Sequence, residues 1–169
     1  MKLLFISLFI SSLALGQIKE EFLNYKTSKI NGSIPNALTK ADLLRTLGKP
    51  TKIEILEGEC GLTEEQEKAK DRNWYYYDST KFLLFDNKAK IIEVNFRSGK
   101  FTYTTAKIKL SNKTTLEDLQ KVYPVSTKAA IKENNGNMVR ISPCSNCDGD
   151  CLLYFENGYL VKLEWWEPC

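Results

Sequence analysis

Five cysteines and no histidine set the chemistry open to this chain. Cys144, Cys147 and Cys151 crowd into PCSNCDGDC, while Cys60 and Cys169 stand apart. Three uses are open to them. As thiolates, Cys144, Cys147 and Cys151, completed by Cys60 or Cys169, form a soft ligand set of the kind that takes zinc or copper(I). As a dithiol, Cys144-x-x-Cys147 could cycle against a disulfide. As staples, the cysteines would lock loops, which is their usual fate in an oxidising compartment. A redox C-x-x-C normally opens a helix, whose N-terminus depresses the thiolate pKa. Here the motif follows Pro143 and runs into Asp148-Gly149-Asp150, a turn signal. The residues therefore favour staples, with Cys144 and Cys151 placed to face each other across a hairpin loop. Five is an odd number, so at least one thiol is free or pairs with another molecule. The two aspartates lack the ligand spacing of a calcium loop.

Without histidine, Ser-His-Asp and Cys-His catalysis, histidine-ligated zinc hydrolysis and the usual pH switch are all closed. Paired carboxylates remain, for example among Glu57, Glu59, Glu64 and Glu65. They sit in a polar stretch with no sign of the burial that tunes a catalytic pKa, so a solvated loop is expected there. The reading is of a non-enzyme with no cofactor. The net charge is +3, with both signs interspersed. No basic stripe of the kind that phosphate backbones select is visible, which disfavours nucleic acid as a partner.

The elements that must position these residues begin after residue 16. Lys2 followed by an apolar run from Leu3 to Leu15, then Ala14-Leu15-Gly16, reads as a signal peptide cut before Gln17. Export would place the chain in the periplasm or outside the cell, with no membrane span after cleavage. Ile18, Phe22 and Tyr25 share a face at helical spacing, which predicts an N-terminal helix within 17–28 and a connector up to 35. Thr39-x-x-Asp42 opens a helix that Gly48 and Pro50 close. Strands are expected at 52–56, 73–77, 82–85, 90–96 and 101–110, separated by tight turns, with a charged loop over 57–72. Thr115-x-x-Asp118 opens a second helix ending at Tyr123-Pro124. Strands are then expected at 128–132, 138–142, 152–156 and 159–166, with Asn135-Gly136 and Asn157-Gly158 as hairpin turns.

The second half repeats the first. TKADLLRTLGKPTKIEI (39–55) aligns with TLEDLQKVYPVSTKAAI (115–131), and FLLFDN followed by KIIEVNF aligns with CLLYFEN followed by YLVKLEWW. The predicted fold class is therefore α+β: two tandem units, 36–110 and 111–169, each a short helix followed by a four-stranded antiparallel meander. The two units pack as one body with helices on one face of the sheet. A chain of this size buries roughly 70% of its unfolded surface and does not need disulfides to fold.

The strands carry aromatic residues on both faces. Trp74 and Tyr76 point one way, Tyr75 and Tyr77 the other; Phe101 and Tyr103 add area. Tyr159, Val161, Leu163 and Trp165 are expected on one face, with Leu160 and Trp166 opposite. Such rings either bind a partner protein or are covered by the other half, the N-terminal helix or the 57–72 loop.

This layout resembles the β-lactamase-inhibitor-protein-like fold, and also small outer-membrane assembly lipoproteins that share one such unit. Thr39, Asp42, Leu43, Gly48 and Pro50 with Trp74 and Phe85 carry the resemblance, and in the second copy Thr115, Asp118, Leu119 and Pro124 with Phe155. It covers about residues 36–166. It implies a concave aromatic sheet face that grips a partner protein, with Trp74, Tyr76, Trp165 and Trp166 as candidates and Tyr103 beside them. No lipobox cysteine is present, and neither the cysteine-rich hairpin nor the 57–72 insertion maps onto that family. The function expected is an exported protein-binding module of inhibitor, immunity or envelope-assembly type, its partner another envelope or secreted protein. The alternative is an envelope thiol protein acting through Cys144, Cys147 and Cys151.

Overall fold

The computed structural model describes residues 21–57 and 62–168. The expected signal peptide, residues 17–20 of the expected N-terminal helix, Cys60 and Cys169 lie outside the described residues. In chain order the strands are β1 (Lys29–Ile30), β2 (Ile34–Pro35), β3 (Ala37–Thr39), β4 (Lys52–Ile55), β5 (Arg72–Tyr77), β6 (Thr80–Phe85), β7 (Lys88–Asn95), β8 (Tyr103–Thr104), β9 (Lys109–Leu110), β10 (Met138–Ile141), β11 (Asp150–Glu156) and β12 (Tyr159–Trp166). The helices are α1 (Lys40–Leu47), α2 (Glu64–Lys68), α3 (Leu116–Val122) and α4 (Pro124–Asn134). The class is α+β, as expected.

A large antiparallel sheet runs β10-β11-β12-β7-β6-β5-β4, with β3 paired to the start of β7. A small sheet, β2-β1-β8-β9, lies separately. The hairpins form where turn chemistry demands them. Asp78 and Ser79 take positive φ between β5 and β6, and Asn157-Gly158 do so between β11 and β12 (φ 52° and 81°); this left-handed pair matches the twist of two-residue hairpins.

One face of the large sheet, the inner face, is built from Tyr75, Tyr77, Phe82, Leu84, Ile91, Val94, Val139, Leu153, Leu163 and their neighbours. Leu43 of α1, Leu119 of α3, Ala130 of α4 and Ile30, Ile34, Tyr103 and Leu110 of the small sheet pack into the same core. Each fully buried Leu, Ile or Phe contributes about 1.5–3 kcal/mol by leaving water.

Four expectations change. Residues 128–132 are helix, not strand: α3 stops at Tyr123, and Pro124 then starts α4 at its first position. Proline suits that position because no N–H is needed there. Glu21 supplies what Pro124 and Tyr123 do not, since its carboxylate accepts from Val125 N–H (2.9 Å) and Ser126 N–H (2.8 Å). Accordingly Asn135-Gly136 closes α4 rather than turning a hairpin, with Gly136 N–H donating to Ala130 O. Gly136 has φ +75°, and a Cβ there would stand 2.4 Å from Leu116 Cδ2. Residues 21–28 are not the expected helix. Residues 22 and 23 lie along Ser142, Asn24 turns the chain with φ 56°, and a single 3-10 turn follows at Tyr25–Thr27, because Leu23 and Tyr25 donate their N–H groups to Ser142 O and Pro143 O. Residues 101–110 form no long strand; β8 and β9 belong to the small sheet.

Candidate functional site

The other face of the large sheet, the outer face, holds the candidate site. Register alone lays a row of side chains across seven strands: Lys52, Tyr76, Lys81, Glu93, Glu164, Leu152 and Arg140. Tyr154 and Lys162 are cross-strand partners in the next row. Two bulges make this possible, between Lys81 and Phe82 in the β6–β7 pairing and between Tyr154 and Phe155 in the β11–β12 pairing. The second drops one residue of β12 out of alternation. Leu160 therefore joins Leu163 and Trp165 on the inner face, against the strict alternation expected, and Lys162, Glu164 and Trp166 turn outward.

The row is knit by ion pairs lying flat on rings. Tyr76 OH donates to Glu54 Oε2 at 2.5 Å, and Lys52 bridges Glu54 while its ammonium sits 5.5 Å from the Tyr76 ring centre. Lys81 lies 3.6 Å over Trp74. Lys162 contacts Glu164 at 2.7 Å and Glu93 at 3.9 Å and lies 4.2 Å over Tyr154. Arg140 sits 5.9 Å from Trp166 and 3.5 Å from Asp150. Such cation–π contacts gain strength where the cation is partly desolvated. A shallow depression of about 390 Å³ opens between Thr51, Lys52, Tyr76, Ser79, Lys81 and Glu93.

Burial sets the electrostatics at the centre. Desolvation pushes the Glu93 carboxyl above the ordinary range, with Lys162 pulling against it. The Tyr154 phenol is raised by burial and then by Glu164. Burial works against the charge on Lys162, yet Glu164 and Glu93 together hold its pKa above the usual lysine value. At the β4 end the Glu54 carboxyl is held low by hydrogen bonds from Lys52 and Tyr76. Glu93 and Glu164 stand directly opposite each other, an arrangement that costs stability between like charges. Lys162 is the cation that makes it tolerable.

The aromatic residues expected to form one partner surface do not share one. Tyr76, half-buried, and Trp166, 42% exposed, are on the outer face. Trp74 is on that face too but only 6% exposed, because Leu56, Leu62 and Ala69 of the 57–72 segment and its flank fold over it together with Leu83 and Phe85. Trp165 and Tyr103 are core residues: Trp165 stacks edge-on against Tyr25 at 4.7 Å and packs beside Tyr103 at 6.1 Å. Neither is open to a partner. Reading the strands for rings alone passes over Lys81, Glu93, Lys162, Glu164 and Arg140. The signal available for them is that charged residues recur at outward positions beside those rings.

The cysteines resolve differently from the hairpin expectation. Cys144 pairs with Cys147, not Cys151, across a four-residue loop with Cα atoms 5.3 Å apart. Cys151 is a free thiol in the core, its pKa pushed well up by burial and then by Asp150. The β11 strand alternates, so a residue paired with Ile141 must face inward as Ile141 does. Three thiolates from Cys144, Cys147 and Cys151 therefore do not converge, and no group of three metal-type ligands forms among the described residues. After the C-x-x-C the chain enters a turn and then β11, not a helix. Two carboxylates of the 57–72 segment form ion pairs, Glu65 with Lys88 of β7 and Glu64 with Lys68 within α2, while Glu59 lies outside the described residues. No helix among the described residues is long and apolar enough to cross a membrane.

No protein-family model, curated protein or solved structure matches this chain.

Proposed function

We propose that this chain is an exported, non-catalytic protein-binding module whose outer sheet face engages another protein of the envelope or the secreted fraction. One observation carries the reading. The outer face presents Tyr76, Lys81, Glu93, Lys162, Glu164 and Trp166 on adjoining strands, held by ion pairs and rings, with α2 and its flanks covering only the Trp74 end. Rigid aromatics beside partly desolvated charges suit protein recognition: the rings bury area at low entropic cost, and the charges select against wrong partners. The like-charge pair Glu93–Glu164 costs the fold stability and supplies acceptors for a cation, which fits a partner presenting lysine or arginine to the sheet.

The architecture supports the same reading in a second way. The β6–β7 and β11–β12 hairpins descend from matching sequence segments, and they meet through β7 and β12 around Val94 and Leu163. On this view the chain is a tandem α-β duplication, and the site straddles the junction. The second unit departs from the first at 128–131, where the segment matching β4 is helical. The likeness to the β-lactamase-inhibitor-protein-like fold rests on the shared motifs and on this layout.

The test is capture of envelope and secreted proteins by the tagged chain, compared with Lys162→Glu, Tyr76→Ala and Trp166→Ala variants. A Val125→Asp change on the exposed side of α4 serves as control. Loss of one captured species in the three outer-face variants, with retention in the control, is expected. Equal capture by all four, or none by the unmutated chain, would remove the basis of the proposal.

A further inference from the structure

We propose that two copies of this chain associate edge to edge through β4, antiparallel, with Ile53 of one copy opposite Ile53 of the other. The two edges of the large sheet are not alike. At β10 the outward backbone groups of Met138 are taken by the Asn134 side chain, and just past the strand residues 22–25 bond Ser142 and Pro143. At the other end β4 pairs with β5 alone among the described residues. Leu56 N–H bonds Arg72 O, so in the antiparallel alternation Glu54 and Lys52 direct their backbone groups to β5, and Ile53 and Ile55 direct theirs outward. Those same two residues are 53% and 73% exposed. An uncovered strand with outward N–H and C=O groups and bare isoleucines is a template for another strand.

Charge selects a second copy and fixes its register. Across a two-fold axis the paired residue numbers have a constant sum. Placing Ile53 on Ile53 therefore sets Lys52 against Glu54 of the second copy, and Glu54 against its Lys52. The register one step along would set Glu54 on Glu54, like charge on like. The strand Lys-Ile-Glu-Ile is thus complementary to itself in one antiparallel register, which buries isoleucine on one side and crosses two ion pairs on the other. A four-residue strand pair falls well short of the roughly 1,200 Å² of a standard interface, so the dimer is weak and concentration-dependent.

Sedimentation equilibrium on the purified chain tests this, with circular dichroism confirming that each variant is folded. The unmutated chain should dimerise in the micromolar range. Lys52→Glu alone and Glu54→Lys alone should each weaken the dimer by about tenfold or more, since each puts like charges opposite one another. Mixing those two variants should restore association as a heterodimer. The double variant Lys52→Glu/Glu54→Lys should dimerise on its own, which the Glu54-on-Glu54 register does not allow. A chain that stays monomeric up to the high-micromolar range would overturn the proposal. A dimer indifferent to the single charge changes, or one that the double variant fails to restore, would do the same. The readout is mass, so it stands or falls separately from capture of another protein by the outer face.

Discussion

Adjacent tryptophans at the end of β12 divide the labour of this protein within one peptide bond. Trp165 is packed between Tyr25 and Tyr103, whereas Trp166 lies under Arg140 at the surface. Trp165→Ala should cost about 3–5 kcal/mol in urea denaturation, and Trp166→Ala no more than about 0.5 kcal/mol. Equal costs would show that the two rings do not lie on opposite faces. Glu93 makes the second residue-level case. Its raised pKa means that protonation stabilises the fold: the benefit is complete below the ordinary carboxylate range and is lost as pH rises through the raised value. Glu93→Gln should therefore raise stability at neutral pH by about 0.2–1 kcal/mol, the scale of a cross-strand pair, with the gain vanishing in acid. Lys162 keeps Glu164 at 2.7 Å in the parent and has no need of Glu93 to stay paired. A variant less stable than the parent at neutral pH would contradict the role given to Glu93. Cys151, buried on the strand that carries it, behaves as a small core residue.

Among the elements, α3 and α4 show how far local signals reach. The Thr115 cap is legible in sequence and present: its hydroxyl accepts from Asp118 N–H at 3.2 Å, and Asp118 reaches back to Thr115 N–H at 3.1 Å. The Thr115 N–H, the Thr115 hydroxyl, which donates to Asp118 Oδ2 at 2.9 Å, and then Lys121 hold the Asp118 carboxyl below its usual range. A depressed folded pKa gives stability that is present above the ordinary range and lost as pH falls through the folded value. Asp118→Asn should accordingly destabilise the protein at neutral pH and flatten the acid side of a denaturation midpoint against pH profile. An unchanged acid limb would place the linkage elsewhere. Thr115→Ala should cost about 1 kcal/mol in the same assay. The start of α4 is a different matter. Tyr123-Pro124 reads locally as a stop, and Glu21, distant in the chain, offers the acceptors that cap the new helix. A long-range partner of that kind leaves no trace in the window where the helix is read.

At the scale of the whole molecule, the large sheet is one object because β12 pairs with β7. Val94 and Leu163 at that seam are both fully buried in a core that includes residues of α1, α3, α4 and the small sheet. Leu163→Ala should cost about 2–5 kcal/mol while unfolding stays a single transition by fluorescence and circular dichroism alike. Two separated transitions would mean that the halves are independent. The sequence by itself determined the α+β class, the capped helices α1 and α3, the β5–β6, β6–β7 and β11–β12 hairpins and the split of Tyr75 and Tyr77 from Trp74 and Tyr76. Each of these depends on interactions within a few residues: caps, turns and the period of two along a strand. The tertiary structure alone decided that Trp165 and Tyr103 are core, that α2 and its flanks cover Trp74, that Cys151 is turned into the core, that 128–132 is helical, and that Lys81, Glu93, Lys162 and Glu164 meet on one face. Those outcomes depend on register between distant strands, on a bulge that shifts β12 by one residue, and on which element lies over which face. All three are properties of chain segments brought together, and no window of sequence contains them.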